Sequence, residues 1–258
     1  MESQPPERRE PFWSHFSNLV RRMNPLPHGT PASTSVTPFD KDPFTTGVIN
    51  LHGCTCIIII TEKGLYNSHF WDGPSFSQST VPIHGPKIFE HDVLRPITYG
   101  LRFCTSNDTI LEGPPACNHY IRDEYEPLAF IFSPKKWNSD VMQYPAQIVK
   151  IAHALWDVLP SADVQVVGYV NVGRADPVLR DSDFIDPDVG DIGQLEGKVV
   201  VDYQPRVRLQ DGRVGSVVDV WIGDEVERVW RKEWNSSNVR EQNQRLMDRK
   251  RNVNRANS

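Results

Sequence analysis

Residues 53–71 read GCTCIIIITEKGLYNSHFW, and the fold is read outward from this stretch. A run of four isoleucines ends at Ile60, the polar residues Glu62 and Lys63 and then Gly64 follow, and a second apolar-rich run leads from Leu65 to Trp71. Strand-forming residues on both sides of a short glycine-containing turn predict an antiparallel hairpin. If Glu62 and Lys63 form the turn, opposed positions add to 125, so Cys56 faces His69 and Cys54 faces Trp71. Side chains alternate along a strand, which puts Cys54, Cys56, His69 and Trp71 on one face. Cys54 and His69 are then diagonal neighbours roughly 7–8 Å apart along the backbone, a gap that side chains can close.

Outward from the hairpin, TTGVINLHG (45–53) reads as a preceding strand, and KIFEHDVLRPITYGL (87–101) as a helix that Pro96 should bend or shorten. Residues 102–126 read as an irregular excursion, and PLAFIFSPK (127–135) as a buried strand. A helix is predicted from Pro145, with Ile148, Val149, Ala152, Leu155, Trp156 and Leu159 on one side and Pro160 closing it. DVQVVGYVNV (163–172), KVVVDYQPRVRL (198–209) and VGSVVDVWIG (214–223) are further strands. The expected fold is α+β: an antiparallel β-sheet or β-sandwich core with two main packed helices. Its predicted boundaries are a largely disordered leader at 1–43 carrying a short amphipathic helix at 11–23, a single domain at 44–234, and a basic polar tail at 235–258. The leader reading rests on its proline, serine and threonine content.

The 258 residues are 38% apolar and 24% charged, enough for a sizeable core, and the net charge of −5 argues against nucleic acid as the main partner. No stretch approaches the roughly 18–20 apolar residues of a membrane span, and MESQPPERRE has no apolar core of a secretory signal. Four cysteines in a chain this long make no disulfide framework, which points to a reducing cytoplasmic or nuclear compartment. The sequence contains no phosphate-binding glycine loop, dinucleotide fingerprint, HExxH or GxSxG motif.

A nucleophilic thiol needs access to substrate and a neighbouring imidazole, and Cys54 at the mouth of the strand suits this better than Cys56 within the isoleucine run. Gly53 lets the backbone turn sharply, and the backbone N–H groups of Gly53 and Thr55 are candidates to face a developing oxyanion. Two other readings of the pair stand beside this one. Cys54 and His69 can be ordinary buried residues of a hairpin. With His52 and Cys56 they can also be weighed as a zinc set, although H-x-C-x-C along a strand is not a usual zinc spacing. The acidic stretch with Asp181, Asp183, Asp186, Asp188 and Asp191 misses the spacing of a calcium loop and reads as a solvated loop.

The GCT of 53–55, followed by a hairpin and a histidine fifteen positions after Cys54, resembles the catalytic domain of the cytotoxic necrotizing factor toxins. Those enzymes are glutamine deamidases and transglutaminases that act on Rho-family GTPases, and bacterial chemoreceptor deamidases share a comparable Cys–His arrangement. The stretch GCT…KGLYNSHFWDGPSF also resembles a module of fungal proteins, and the resemblance as a whole covers roughly residues 45–76. It implies Cys54 as nucleophile, His69 as general base, no metal or organic cofactor, and a protein substrate with an accessible glutamine, such as a small GTPase. In the toxins a main-chain carbonyl orients the histidine. Here Asn50, His52 or a carbonyl of the first strand are the candidates. The functional expectation is a cysteine-dependent protein-glutamine deamidase or transglutaminase-like enzyme. The alternative is a non-catalytic interaction or accessory protein that keeps the fold.

Overall fold

The computed structural model describes residues 10–27, 30–73, 75–76, 87–104, 110–136, 138–170, 197–223 and 227–235. The acidic stretch read as a calcium-loop candidate and the tail after residue 235 lie outside the described residues. Among the described residues, no helix is long and apolar enough to cross a membrane.

The fold is α+β and is built on two five-stranded sheets. One sheet has the order β1 (Asn24–Pro25), β3 (Phe44–Val48), β10 (Val199–Arg208), β11 (Val214–Ile222) and β12 (Glu227–Asn235). The second runs β2 (Ala32–Pro38), β5 (Gly64–Phe70), β4 (Thr55–Ile60), β8 (Leu128–Pro134) and β9 (Asp163–Tyr169). Alternation along the strands divides their side chains between layers. Cys56, Ile58, Ile60, Leu65, Phe130 and Phe132 of the second sheet meet Val48, Val199, Val201, Val218 and Val220 of the first. On the other face of the second sheet, Ile57, Ile59, Tyr66, Phe70, Ala129 and Ile131 are covered by helical segments. Both faces of β4, β5 and β8 are therefore buried, which explains the nearly unbroken apolar runs of β4 and β8.

The helical cover includes α2 (Lys87–Phe89), a π-turn (Glu90–Leu94), α3 (Arg95–Tyr99) and α4 (Pro145–Val158). The π-turn answers the expectation about Pro96. A proline in the first turn of α3 has no N–H to give, and the wider turn before it carries the chain past without an unmet bond, with Arg95 N–H donating to Glu90 C=O. α4 links the parallel pair β8 and β9. Its buried face is Ile148, Ile151, Ala152, Ala154 and Leu155, so Val149 and Trp156, expected to face inward, are exposed. Ile151 and Ala154 take their place on the buried face, while the Trp156 indole N–H donates to the Ala162 carbonyl at 3.1 Å.

Three further expectations need correction. Residues 32–38 do not belong to an unfolded leader. They form β2, paired along its length with β5 from Ala32↔Phe70 to Pro38↔Gly64. ASTSVTP looks like a linker by composition, yet its β-branched residues suit an edge strand, and backbone pairing replaces the missing apolar side chains. Within the excursion, β6 (Leu101–Cys104) and β7 (Ile110–Gly113) form a two-stranded sheet. β12 adds a third strand to the expected final pair, β10 and β11. The helix α1 (Glu10–Arg22) lies one residue ahead of the predicted 11–23 at each end and docks through Phe16 and Leu19 on Val200 and Trp221, the outer face of the first sheet.

Candidate active site

The hairpin register is the predicted one: Cys56 pairs with His69 and Ile60 with Leu65. Pairing continues on both sides, so one row across the second sheet reads Ser33, His69, Cys56, Phe132, Val167. This row faces the inter-sheet layer. Cys56 is fully buried there, and burial drives its thiol well above the ordinary range. His69 is 2% exposed. Cys54, one pleat nearer the strand entrance, packs against the same layer and is partly exposed. The sheet therefore brings the two predicted residues to one face, with the cysteine at its margin and the histidine inside.

The sulfur of Cys54 is not held as a thiolate. Burial pushes its thiol up to about 11; the backbone N–H of Asp72, donated to the sulfur, pulls the value down, and the Asp72 carboxylate pushes it up again. That carboxylate accepts a hydrogen bond from the Tyr144 hydroxyl, which in turn accepts one from the Gln143 side-chain amide at 2.6 Å. The chain Gln143–Tyr144–Asp72 thus ends beside the thiol.

The supporting residues fare differently. Gly53 adopts φ of 95°, a left-handed geometry that favours glycine. Its N–H donates to the Tyr169 hydroxyl at 3.1 Å, so it is not directed at a substrate as expected. The same hydroxyl donates to the Cys54 carbonyl at 2.6 Å. Thr55 opens β4 opposite Phe70, and its hydroxyl lies 3.4 Å from that of Ser133 on the helix-covered face, away from Cys54. Asn50, at φ of 61°, and His52 are linked by a bond from the His52 N–H to the Asn50 carbonyl. Both side chains are exposed, whereas the ring they were expected to orient is buried. The exposure of His52 also separates it from Cys56 and His69 as members of a metal set. Among the described residues, no group of three or more His, Cys, Asp or Glu side chains is placed to hold a metal ion.

Asp72, Tyr144 and Tyr169 were missed by sequence reasoning. Asp72 follows the hairpin directly, and its place after Trp71 was the available signal. Tyr169 reaches the site from 115 residues away along the chain, through strand pairing that no local motif records. No protein-family model matches the chain, and no curated protein does.

Proposed function

We propose that the chain is a thiol-dependent protein-glutamine deamidase or transglutaminase-type enzyme, with Cys54 as nucleophile and His69 as general base. One observation carries the reading: the register places sulfur and imidazole on the same face, with Cys54 alone of the two cysteines partly open to solvent. The resemblance of GCT and the fifteen-residue interval to the toxin catalytic domain supports it, and by that resemblance a small GTPase is a fitting substrate.

The raised thiol shapes the mechanism. Cys54 rests as S–H, so its proton passes to His69 as the sulfur attacks the γ-carboxamide carbon, rather than beforehand. The tetrahedral intermediate collapses with cleavage of the C–N bond, and the His69 proton leaves on ammonia. Water, or an amine, gives a proton to His69 and attacks the thioester. The thiol leaves with that proton, and the product is glutamate or a cross-linked amide. A protein substrate that covers the site also excludes water, which favours an amine as acceptor.

Ammonia release from carbobenzoxy-Gln-Gly measures the reaction. Cys54→Ser should abolish it with thermal unfolding unchanged, and wild-type release from that variant defeats the proposal. A second reading, a non-catalytic interaction protein retaining the fold, is favoured by the burial of His69 and the raised thiol of Cys54. It predicts that alkylation of Cys54 does not change in His69→Ala.

A further inference from the structure

We propose that Tyr169 is the positioning residue for Cys54: its hydroxyl brackets the Gly53–Cys54 dipeptide, holding the Gly53 N–H at one end and the Cys54 carbonyl at the other, and so fixes the direction of the Cα–Cβ bond that carries the thiol. This rests on reading Cys54 as the nucleophile. β4 begins at Thr55, so the peptide groups of Gly53 and Cys54 precede the strand and find a partner outside it. A buried backbone N–H or C=O without a partner is costly. One phenol serves both, accepting the Gly53 N–H at 3.1 Å and donating to the Cys54 carbonyl at 2.6 Å.

The torsions that aim the Cα–Cβ bond of Cys54 lie between these two anchored groups. Reorienting that bond through the backbone breaks one of the two hydrogen bonds. The anchor itself is stiff: Tyr169 is buried in the inter-sheet layer, closes β9 opposite Pro134, and its carbonyl accepts the Lys135 N–H at 2.8 Å. The parallel β8–β9 pair thereby sets the aim of a residue that begins β4. Without this clamp the backbone that carries the thiol would sample other orientations, and misplacing a nucleophile by about 1 Å lowers turnover by up to roughly a hundredfold.

The test uses the full chain and the Tyr169→Phe variant, which keeps the ring and removes the clamp. Tyr203→Phe is the control: it deletes a hydroxyl of the same layer that donates to the Asp40 carbonyl at 3.0 Å. With carbobenzoxy-Gln-Gly, Tyr169→Phe should lower kcat by roughly ten- to a hundredfold with KM unchanged. Iodoacetamide labelling of Cys54 should instead become faster, with its pH profile moved toward lower pH, because the released turn is better solvated. Tyr203→Phe should change neither. Wild-type turnover and labelling in Tyr169→Phe, or equal changes in both variants, would overturn the proposal. If Tyr169→Phe does not fold, hydrogen exchange of the wild-type Gly53 amide decides: protection supports the clamp, and exchange at the free-peptide rate refutes it. Failure of wild-type protein to release ammonia sinks the deamidase reading, while labelling and exchange still judge the clamp.

Discussion

On the outer face of the first sheet, Asp202 and Asp219 stand directly opposite each other on β10 and β11, both nearly buried. On the inner face of the second sheet, Cys56, Asn67 and His69 are buried and Cys54 lies partly exposed at their margin, with no fixed charge among them. Facing carboxylates repel, and the first sheet answers with arginines. Arg22 of α1 meets Asp202 at 2.7 Å, while Arg231 and Arg228 of β12 meet Asp219 at 2.9 and 3.5 Å. Thr45 and Gln204 complete the shell around Asp202. In the groove lined by Arg22, Asp202, Asp219, Trp221, Arg228 and Arg231 both carboxylates are thus matched by arginines, and the Arg22–Asp202 pair fastens α1 to the sheet. The second sheet buries groups that exchange protons, a thiol and an imidazole. A carboxylate locked to arginine anchors structure, whereas the proposed reaction asks the uncharged thiol and the imidazole to exchange protons.

The contrast can be broken most severely at the layer the two sheets share. Ile58→Ala opens a cavity between them and should destabilise the fold by about 3–5 kcal/mol in denaturant unfolding. A loss under about 1 kcal/mol would mean that the sheets are not pressed together there. Next is the chemistry of the second sheet. With its thiol raised from 9.0 to about 11, Cys54 should react with iodoacetamide at pH 8 about a hundredfold more slowly than a free thiol. The folded state holds this proton where the unfolded chain has lost it. Stability should therefore be undisturbed by Cys54 below pH 9.0 and decline between 9.0 and about 11, a component that Cys54→Ala lacks.

Smaller effects belong to the first sheet. Arg22→Ala leaves the Asp202 carboxylate without its cation and should cost about 1–2 kcal/mol, measured by urea unfolding at low salt. A loss of that size in Phe16→Ala but none in Arg22→Ala would assign the docking of α1 to apolar contact alone. The smallest effect is expected at Asp219. Burial raises its carboxyl above the usual range, Arg231 and Arg228 draw it back, and Asp202 raises it further. The folded state thus binds the proton more tightly, and stability falls as pH rises from the unfolded value through the folded one. Asp219→Asn removes that decline and should lie within about 0.5 kcal/mol of wild type at pH 7, since desolvation offsets the ion pairs. A larger loss would show that the arginines dominate.

Legibility followed the range of the forces involved. β4, β5, β8, β10, β11 and α4 were readable because runs of valine and isoleucine, turns and helical spacing are local signals. β2 was not, because ASTSVTP owes its strand to hydrogen bonds with β5 rather than to its own side chains. β12, with Arg228, Arg231 and Lys232 among Val229, Trp230 and Trp234, hides its apolar contribution to the inter-sheet layer behind charge. At the candidate site, Cys54 and His69 could be named from spacing. Tyr169 and the Asp72–Tyr144 contact join residues more than 70 positions apart and left no mark in any short stretch.

By itself the sequence determined that residues 53–71 form a two-residue-turn hairpin and that Cys54, Cys56 and His69 point to the same side of it, because turn length and a period of two leave no freedom. Only the tertiary structure decided what that side faces. A second sheet lies over it, so the imidazole is enclosed, the sulfur at the margin is desolvated, and a tyrosine from a distant strand anchors its backbone. The physical reason is that strand geometry is local, whereas dielectric environment and hydrogen-bond partners come from whichever surface long-range packing places opposite.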